Sequence, residues 1–258
     1  MTEAGYSSTE ILVCAAARLM RRRTTVFIGT GLPMLAAALA KRLYAPELLP
    51  VFEFGGIGST LDELPLGVGE SRTFDRAFAA LGICDVMETA QRGLIHDGFL
   101  GGAQIDPHGN LNTTVIGSHQ SPKVRLPGSG GANEVGSFCQ RTVIIMKQDR
   151  RKFVKKLDFL TTPGFLTGPG ARERAGLPAG TGPYRVVTDM AVYDFDPTGK
   201  RMRLISLHPG VALEKVKAET GFPLKIRRPL GLTPPPTPLE LSTLRDKVDP
   251  GRIFLREA

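Results

Sequence analysis

One carboxylate in the sequence stands where a nucleophile or a general base would be useful. Glu53 lies in the apolar run Val51-Phe-Glu-Phe54, and the pair Gly55-Gly56 follows it. The run predicts a short β-strand over residues 51–54, and open α/β sheets bind ligands beyond the carboxyl ends of their strands. The glycines would let a substrate or another backbone segment come close. A glutamate that simply faces solvent at a strand end is the alternative, because acidic side chains are mostly exposed.

A second feature is the run of small residues over positions 126–133, Leu-Pro-Gly-Ser-Gly-Gly-Ala-Asn. Consecutive backbone N–H groups in such a run can converge on an anion. Gly128, Gly130, Gly131 and Ala132 are therefore candidate donors to a phosphate, or to the oxyanion that forms when a carbonyl group is attacked. A flexible surface loop has the same composition, so the pattern by itself leaves both interpretations open.

Paired glycines also precede Gln104, in the run Phe99-Leu-Gly-Gly-Ala-Gln-Ile-Asp106. A strand that ends in these glycines would place the Gln104 amide beside a ligand. The next residues, Asp106-Pro-His-Gly109, are typical of a tight turn.

Several common site motifs are missing from the sequence. Gly29-Thr-Gly31 precedes a predicted helix, but Met34 stands where a dinucleotide fingerprint has its third glycine. The histidines and the cysteines are too widely spaced for the usual metal-binding motifs. We therefore expect no metal site and no disulfide framework, and a reducing compartment.

The charge balance points to an anionic ligand or partner. The chain carries 33 Lys and Arg against 25 Asp and Glu, a net charge of +8, and seven of the basic residues lie within positions 140–156. A nucleic acid, a phosphorylated cofactor or an acidic partner would each suit this run. The sequence has no tryptophan and no helix-turn-helix, zinc-finger or RNA-binding aromatic motif, so we expect no nucleic-acid partner.

No segment is typical of a membrane helix. The longest run without a charged side chain covers positions 24–40 and includes two glycines and a proline. A spanning helix needs about 20 apolar residues, more than this run offers. We expect a cytoplasmic protein without membrane contact.

The elements around these candidates predict an α/β fold, an open and mainly parallel sheet with flanking helices, in a single domain over residues 1–258. Ser7 and Glu10 form a capping box before a first helix. A strand over 24–28, a helix over 32–43 and the strand over 51–54 make a βαβ unit. The pattern predicts further helices over 74–81, 85–92, 212–220 and 239–248, strands over 98–100, 113–116, 142–146, 185–195 and 202–205, and an extended Pro-rich strap over 229–238 before the last helix.

The motifs also occur in an order that resembles a known family. Six runs follow one another along the chain: Val26-Phe-Ile-Gly-Thr-Gly-Leu-Pro33, Phe52-Glu-Phe-Gly-Gly56, the runs at 99–106 and 109–114, Lys123-Val-Arg-Leu-Pro-Gly-Ser-Gly-Gly131 and the run at 157–164. Two more come after them, Ser206-Leu-His-Pro-Gly210 and Thr220-Gly-Phe-Pro223. Over roughly residues 8–250 the chain resembles the B (beta) subunit of family I CoA-transferases, most closely the glutaconate CoA-transferase type.

This resemblance implies a fold of the NagB/RpiA type and a hetero-oligomer with a separately encoded A subunit, with the active site between the two. Glu53 occupies the place of the family's nucleophile, and the loop of Gly128, Gly130, Gly131 and Ala132 that of the oxyanion and CoA contacts. Gly31, Gly55, Gln104 and Asn133 are further candidates for contacts with substrate or CoA. Coenzyme A is implied as a substrate that carries the acyl group, with no tightly bound cofactor.

The implied reaction moves CoA between carboxylic acids by a ping-pong mechanism through a glutamyl-CoA thioester, with an acyl-CoA and a free acid as partners. A CoA-thioester hydrolase, a decarboxylase or a ring-cleaving enzyme on the same fold is the alternative, since related subunits lack the glutamate. Glu53 favours transfer. A purely structural subunit would also fit the resemblance. Phe54 is bulkier than the residue expected after the nucleophile, which implies a different acyl pocket.

Overall fold

The computed structural model describes residues 5–67 and 69–255, so positions 1–4, 68 and 256–258 of the predicted domain lie outside the described residues. Ten strands form one sheet in the order β14-β13-β12-β11-β10-β5-β1-β2-β3-β4. The strands are β1 Thr25–Ile28, β2 Leu49–Val51, β3 Gly56–Ile57, β4 Ala79–Ala80, β5 Asp97–Leu100, β6 Gln104–Ile105, β7 Leu111–Asn112, β8 Val115–Gly117, β9 Pro122–Arg125, β10 Arg141–Ile145, β11 Pro183–Val187, β12 Ala191–Phe195, β13 Met202–Leu207 and β14 Lys225–Leu232.

The centre of the sheet is parallel, as the sequence predicts. Strands β2, β1, β5, β10 and β11 run in one direction, with Phe27 of β1 opposite both Val51 and Gly98. Antiparallel pairs join β3 and β4 at one end and β12 and β13 at the other. The pairs β6–β7 and β8–β9 form two small separate sheets. The carboxyl ends of the parallel strands therefore share one edge, where the candidate residues follow.

Helices cover both faces. They are α1 Ser8–Ala17, α2 Leu32–Leu43, α3 Ile83–Gln91, α4 Ala132–Phe138, α5 Ala171–Arg174, α6 Leu213–Ala218 and α7 Pro238–Thr243, with a 3₁₀ turn at Ser71–Phe74 and a π-helical turn at Leu244–Val248. The predicted capping box is confirmed: Glu10 N–H donates to Ser7 Oγ at 3.2 Å, and Ser7 N–H donates to the Glu10 carboxylate at 2.7 Å. All of α1 after Ser8 is buried.

The end of the chain closes over this first helix. Arg18, which caps α1, donates from Nε to Glu240 of α7 at 2.7 Å, and Tyr44 also hydrogen-bonds to Glu240. Arg245 donates to the Glu10 carboxylate at 2.6 Å. Charge-assisted hydrogen bonds thus join the first and the last helical segments of the chain.

The helix predicted over 74–81 is wrong. Residues 71–74 form the 3₁₀ turn, and Ala79–Ala80 is the edge strand β4, which pairs with β3 at Gly56. The Leu81 amide donates to the Gly55 carbonyl at 3.0 Å. Pairing with a distant strand outweighs the local helical pattern here, because propensity is a weak prior.

Two other predictions need smaller corrections. The strand expected over 185–195 is the antiparallel pair β11–β12, because the Thr188 hydroxyl accepts from the amides of Met190 and Ala191 and turns the chain. The Pro-rich segment 229–238 is extended, but its first four residues belong to β14, where Gly231 pairs with Ser206. Among the described residues, no helix is long and apolar enough to cross a bilayer.

Candidate active site

Glu53 lies on a tight turn rather than on a strand. Strand β2 ends at Val51, and the Gly55 amide donates to the Phe52 carbonyl at 3.0 Å, which closes a β-turn with Glu53 as its second residue. A side chain at Gly55 or Gly56 would overlap the carbonyl of Leu81 or Thr73, respectively. The paired glycines therefore allow the segment 73–81 to pack directly against the turn, and this packing holds the turn in place.

The turn faces a cleft at the carboxyl edge of the sheet. The cleft has a volume of about 490 Å³ and receives Glu53 from the turn after β2, Gly29 and Thr30 from the end of β1, Gly101 to Ala103 from the end of β5, and residues 126–130 and 132 from the glycine-rich loop. The sequence predicts a ligand site at this edge of the sheet, and the described residues form a cavity there.

The glycine-rich loop touches the Glu53 carboxylate. The Gly131 amide hydrogen-bonds to it. A Cβ on Gly130 would lie 2.9 Å from Glu53 Oε1, and one on Gly131 would lie 3.5 Å from its carboxyl carbon. Gly130 also has a φ of +47°, a left-handed conformation that glycine adopts most easily. Gly130 thus needs glycine for close packing against the carboxylate, whereas a Cβ on Gly131 would clash with Met87 Cε at 2.5 Å.

The environment of Glu53 raises the pKa of its carboxyl group. Burial is the largest cause, the Gly131 hydrogen bond opposes it, and the negative charge of Glu134 adds to it. A carboxylate with a raised pKa is a stronger base and a better nucleophile once it is ionised.

The loop offers specific backbone donors. Gly128 N–H already donates to the Thr113 carbonyl and Ala132 N–H to the Ser129 carbonyl, each at 2.9 Å. Within residues 5–67 and 69–255, the amides of Ser129 and Gly130 have no hydrogen-bond partner. These two are the donors available to a developing oxyanion, and Ser129 was not among the candidates taken from the sequence.

Two threonines that sequence reasoning missed hold the loop in place. Thr113 Oγ1 donates to the Gly128 carbonyl at 2.7 Å. Thr161, which is 5% exposed, accepts from the Thr113 amide at 2.9 Å through Oγ1, and its carbonyl accepts from Asn133 Nδ2 at 3.2 Å. The loop is therefore tied at both ends to the segment around Thr161. The role of these threonines becomes visible only in the fold, where the run 109–114 lies beside the loop. No pattern of residue spacing in the sequence predicts it.

The four secondary candidates lie in different surroundings. Gln104 is buried, donates to Asp158 at 3.0 Å and accepts from Asn112 at 2.7 Å. Its side-chain amide is therefore engaged in hydrogen bonds within the protein. Asn133 anchors the loop, and Gly55 packs against Leu81. Gly31 lines a neighbouring cleft of about 310 Å³ that shares Thr30, Gly101 and Gly102 with the first. Contacts of these residues with a substrate stay predictions.

The basic run over 140–156 does not form one patch. Arg141 begins β10 and pairs with Asp97 at 2.7 Å, whereas Lys147 and Lys152 lie beyond the other end of the strand and line the neighbouring cleft. Lys147 and Lys152 therefore place positive charge beside the carboxyl edge of the sheet, where Glu53 also lies. The described part of the chain contains no group of three His, Cys, Asp or Glu side chains able to hold a metal ion.

Comparisons with known proteins match this arrangement. The family described as Coenzyme A transferase matches residues 9–219. The chain belongs to the coenzyme A transferase family. It is 37% identical to the B subunit of glutaconate CoA-transferase from Acidaminococcus fermentans, over 97% of this chain and 96% of that protein. It is 39% identical to the B subunit of 3-oxoadipate CoA-transferase from Pseudomonas knackmussii, over 93% and 92% of the two chains.

The fold agrees as closely. The crystal structure of glutaconate coenzyme A-transferase from A. fermentans superimposes with a TM-score of 0.89 at 35% identity and covers 98% of both chains. The CoA-transferase resemblance seen in the motifs and the predicted α/β fold class are confirmed. Both sequence relatives are named as B subunits, so this CoA-transferase chain resembles one component of a heteromeric enzyme.

Proposed function

We propose that this chain is the B subunit of a heteromeric acyl-CoA:carboxylate CoA-transferase in which Glu53 is the nucleophile. The observation that carries the proposal is the contact between the half-buried Glu53 carboxylate and the loop at Gly130 and Gly131, inside a cleft at the carboxyl edge of the sheet. Membership of the CoA-transferase family supports it.

The first half-reaction consists of two acyl transfers. A Glu53 oxygen attacks the thioester carbonyl carbon, and collapse of the tetrahedral oxyanion breaks the C–S bond, giving a glutamyl–acyl anhydride and CoA thiolate. The thiolate then attacks the Glu53 carbonyl carbon, breaks the anhydride C–O bond and releases the acyl group as a carboxylate. The enzyme is left as a glutamyl-CoA thioester, which an incoming carboxylate converts back by the same steps in reverse.

Three features of this chain support these steps. The free amides of Ser129 and Gly130 are the donors we assign to the oxyanions, and one such donor is worth about 3–4 kcal/mol of barrier. Apolar Phe27, Leu100 and Leu126 line the same cleft and limit access of water to the covalent intermediates. Lys147 and Lys152 border the adjoining cleft, where they favour the anionic end of CoA.

An A subunit would complete this site. The sequence relatives are each named as a B subunit, and the cleft is lined on this chain by the carboxyl edge of the sheet, Thr113 and the glycine-rich loop. We assign the remaining residues of the acyl pocket to that partner. The two subunits would form a cytoplasmic hetero-oligomer that uses CoA as a substrate.

Covalent trapping tests the nucleophile. The chain with its A subunit is incubated with acyl-CoA and then with hydroxylamine or borohydride, and peptides are analysed by mass spectrometry. We expect Glu53 to carry the label, and Glu134→Gln, which changes a nearby carboxylate, to leave labelling intact. An active enzyme whose Glu53 peptide stays unmodified would contradict the proposal.

Kinetics separates transfer from hydrolysis or carbon–carbon cleavage. Transfer needs an acceptor carboxylate and gives parallel lines in double-reciprocal plots, as ping-pong exchange requires. Product formation at full rate without any acceptor would favour the hydrolase or decarboxylase alternative. Full activity of Glu53→Ala would place the chemistry on the A subunit.

A further inference from the structure

One short segment outside the cleft contacts both halves of the site. Leu81 follows β4, its amide donates to the Gly55 carbonyl at 3.0 Å, and α3 begins two residues later. A Cβ on Gly55 would overlap the Leu81 carbonyl, so the two backbones are in direct contact. This segment therefore holds the turn that carries Glu53.

The same segment reaches the glycine-rich loop through Met87 of α3. A Cβ on Gly131 would lie 2.5 Å from Met87 Cε and 3.1 Å from Phe27 Cζ. The Met87 methyl group thus occupies the place where a side chain at Gly131 would begin. Met87 is half-buried and packs against the core cluster that includes Phe27 and Val86. It does not line the cleft, so it acts on the loop rather than on a bound substrate.

Gly131 makes the hydrogen bond that orients the nucleophile. Its amide donates to the Glu53 carboxylate, and its carbonyl accepts from the Val135 amide at 3.0 Å in the first turn of α4. Glycine has no side chain to restrain it, and its backbone loses the most freedom on folding. The direction of this amide therefore depends on the groups packed against Gly131. The nearest of these belong to Met87, Phe27 and Glu53 itself.

We propose that Met87 is a positioning residue for the transfer reaction, because its methyl group holds the Gly131 amide against the Glu53 carboxylate. This inference rests on the proposed function of Glu53 as the nucleophile. Since Leu81 and Met87 belong to one continuous segment, the turn and the loop are held at a fixed separation. Catalytic groups need supporting residues that hold them to within about 0.5 Å.

Met87→Ala tests this role through the pKa of Glu53, measured by NMR titration of the ¹³C-labelled carboxyl group and assigned with Glu53→Gln. The Gly131 hydrogen bond lowers this pKa, whereas burial and the charge of Glu134 on α4 raise it. Loss of the hydrogen bond should therefore raise the pKa of Glu53 further. The acidic limb of the pH profile of kcat should move to higher pH with it.

The kinetics should change in a way that packing alone does not explain. With the A subunit present, and at a pH where Glu53 is ionised, kcat should fall by up to about 100-fold, the cost of a displacement of about 1 Å. The KM should stay unchanged, because Met87 lies outside the cleft and the lost interaction is one made in the transition state.

Met190→Ala is the matched control. Met190 is also a half-buried methionine that packs against the same core cluster, but it lies between β11 and β12. Both alanine variants should lower Tm, and only Met87→Ala should change the pKa of Glu53. Met87→Leu is the milder variant should the alanine one fail to fold. It keeps the side-chain volume but ends one bond short of the Cε position, so it should raise the pKa of Glu53 to a smaller extent.

An unchanged pKa of Glu53 in the Met87 variants overturns the inference, and so does an equal rise in Met190→Ala. Failure of the proposed function is recognised separately, by the covalent trapping of the wild type. A raised pKa in Met87→Ala, together with a wild-type Glu53 that is never acylated, would support the positioning of this carboxylate and contradict its role as the nucleophile.

Discussion

Replacing Gly130 by alanine should separate stability from activity in this enzyme. The new Cβ would lie 2.9 Å from Glu53 Oε1, closer than carbon and oxygen atoms pack. The carboxylate is the end of a flexible side chain, so it can move aside at little cost in folding energy. It would then leave the position that the Gly131 amide holds.

The two costs differ in size. The left-handed φ of +47° at Gly130 costs a non-glycine residue about 1–2 kcal/mol, which for a chain of this length lowers Tm by about 3–6 °C. A displacement of about 1 Å of a catalytic group lowers the rate about 100-fold, equivalent to about 2.7 kcal/mol of barrier.

Gly210→Ala is the control for the backbone effect. Gly210 has a φ of +78°, and a Cβ there would meet no atom within 4 Å. CoA exchange between an acyl-CoA and a carboxylate is measured with the A subunit present, together with Tm by calorimetry. Both variants should lose similar Tm, and only Gly130→Ala should lose activity. A Gly130→Ala enzyme with activity within about threefold of Gly210→Ala would refute the reasoning, because so small a change is far below the effect of a misplaced group.

Three further predictions concern the same structure. Glu53→Gln should abolish transfer yet raise Tm near neutral pH. Because the pKa of Glu53 is raised, the folded chain disfavours the ionised carboxylate, and this penalty is present above the ordinary pKa of 4.5 and lost below it. The gain in Tm should therefore vanish in acid, and a constant gain at every pH would contradict this. Thr161→Val should lower the free energy of unfolding by about 1–3 kcal/mol in urea titrations and also reduce turnover, because the Thr113 amide loses its acceptor; unchanged turnover would show that the loop needs no such anchor. Glu240→Gln should cost about 3 kcal/mol, since Arg18 loses its charged partner. Although burial opposes it, bonds from Arg18, Thr237 and Tyr44 lower the pKa of Glu240 to about 2, so the wild type should lose this stabilisation as pH falls from 4.5 towards 2, and Glu240→Gln should show no such loss.

Local signals in the sequence were sufficient for much of the fold. The Ser7–Glu10 capping box, the helix at Leu32–Leu43 and the strand at Arg141–Ile145 need only neighbouring residues, and all three are present. The helix predicted over 74–81 failed because β4 exists only through its pairing with Gly56, a partner outside the reach of any local pattern. Periodicity cannot report such a partner.

The site divides in the same way. Apolar residues, a carboxylate and glycines in sequence were enough to select Glu53 and the loop over 126–133, and the structure brings them into contact. Which backbone amides of the loop remain free depends on hydrogen bonds to distant residues. The Gly128 amide donates to the Thr113 carbonyl, whereas the Ser129 amide has no partner in the described residues and is left as a donor. Gln104 matched a ligand-contact pattern, but Asp158, 54 residues later, engages its amide.

The clasp of Arg18 and Glu10 on Glu240 and Arg245 has a consequence for how the protein is made. The first helix is apolar and enclosed, yet the residues that form ion pairs with Arg18 and Glu10 leave the ribosome 222 and 235 positions later. During synthesis this helix can pack against α2, but the ion pairs that join it to the last helical segment are still missing, and incompletely packed nascent chains aggregate readily. Chains shortened before α7 should therefore accumulate as insoluble material, and chaperones that bind emerging apolar segments should raise the yield of the complete one.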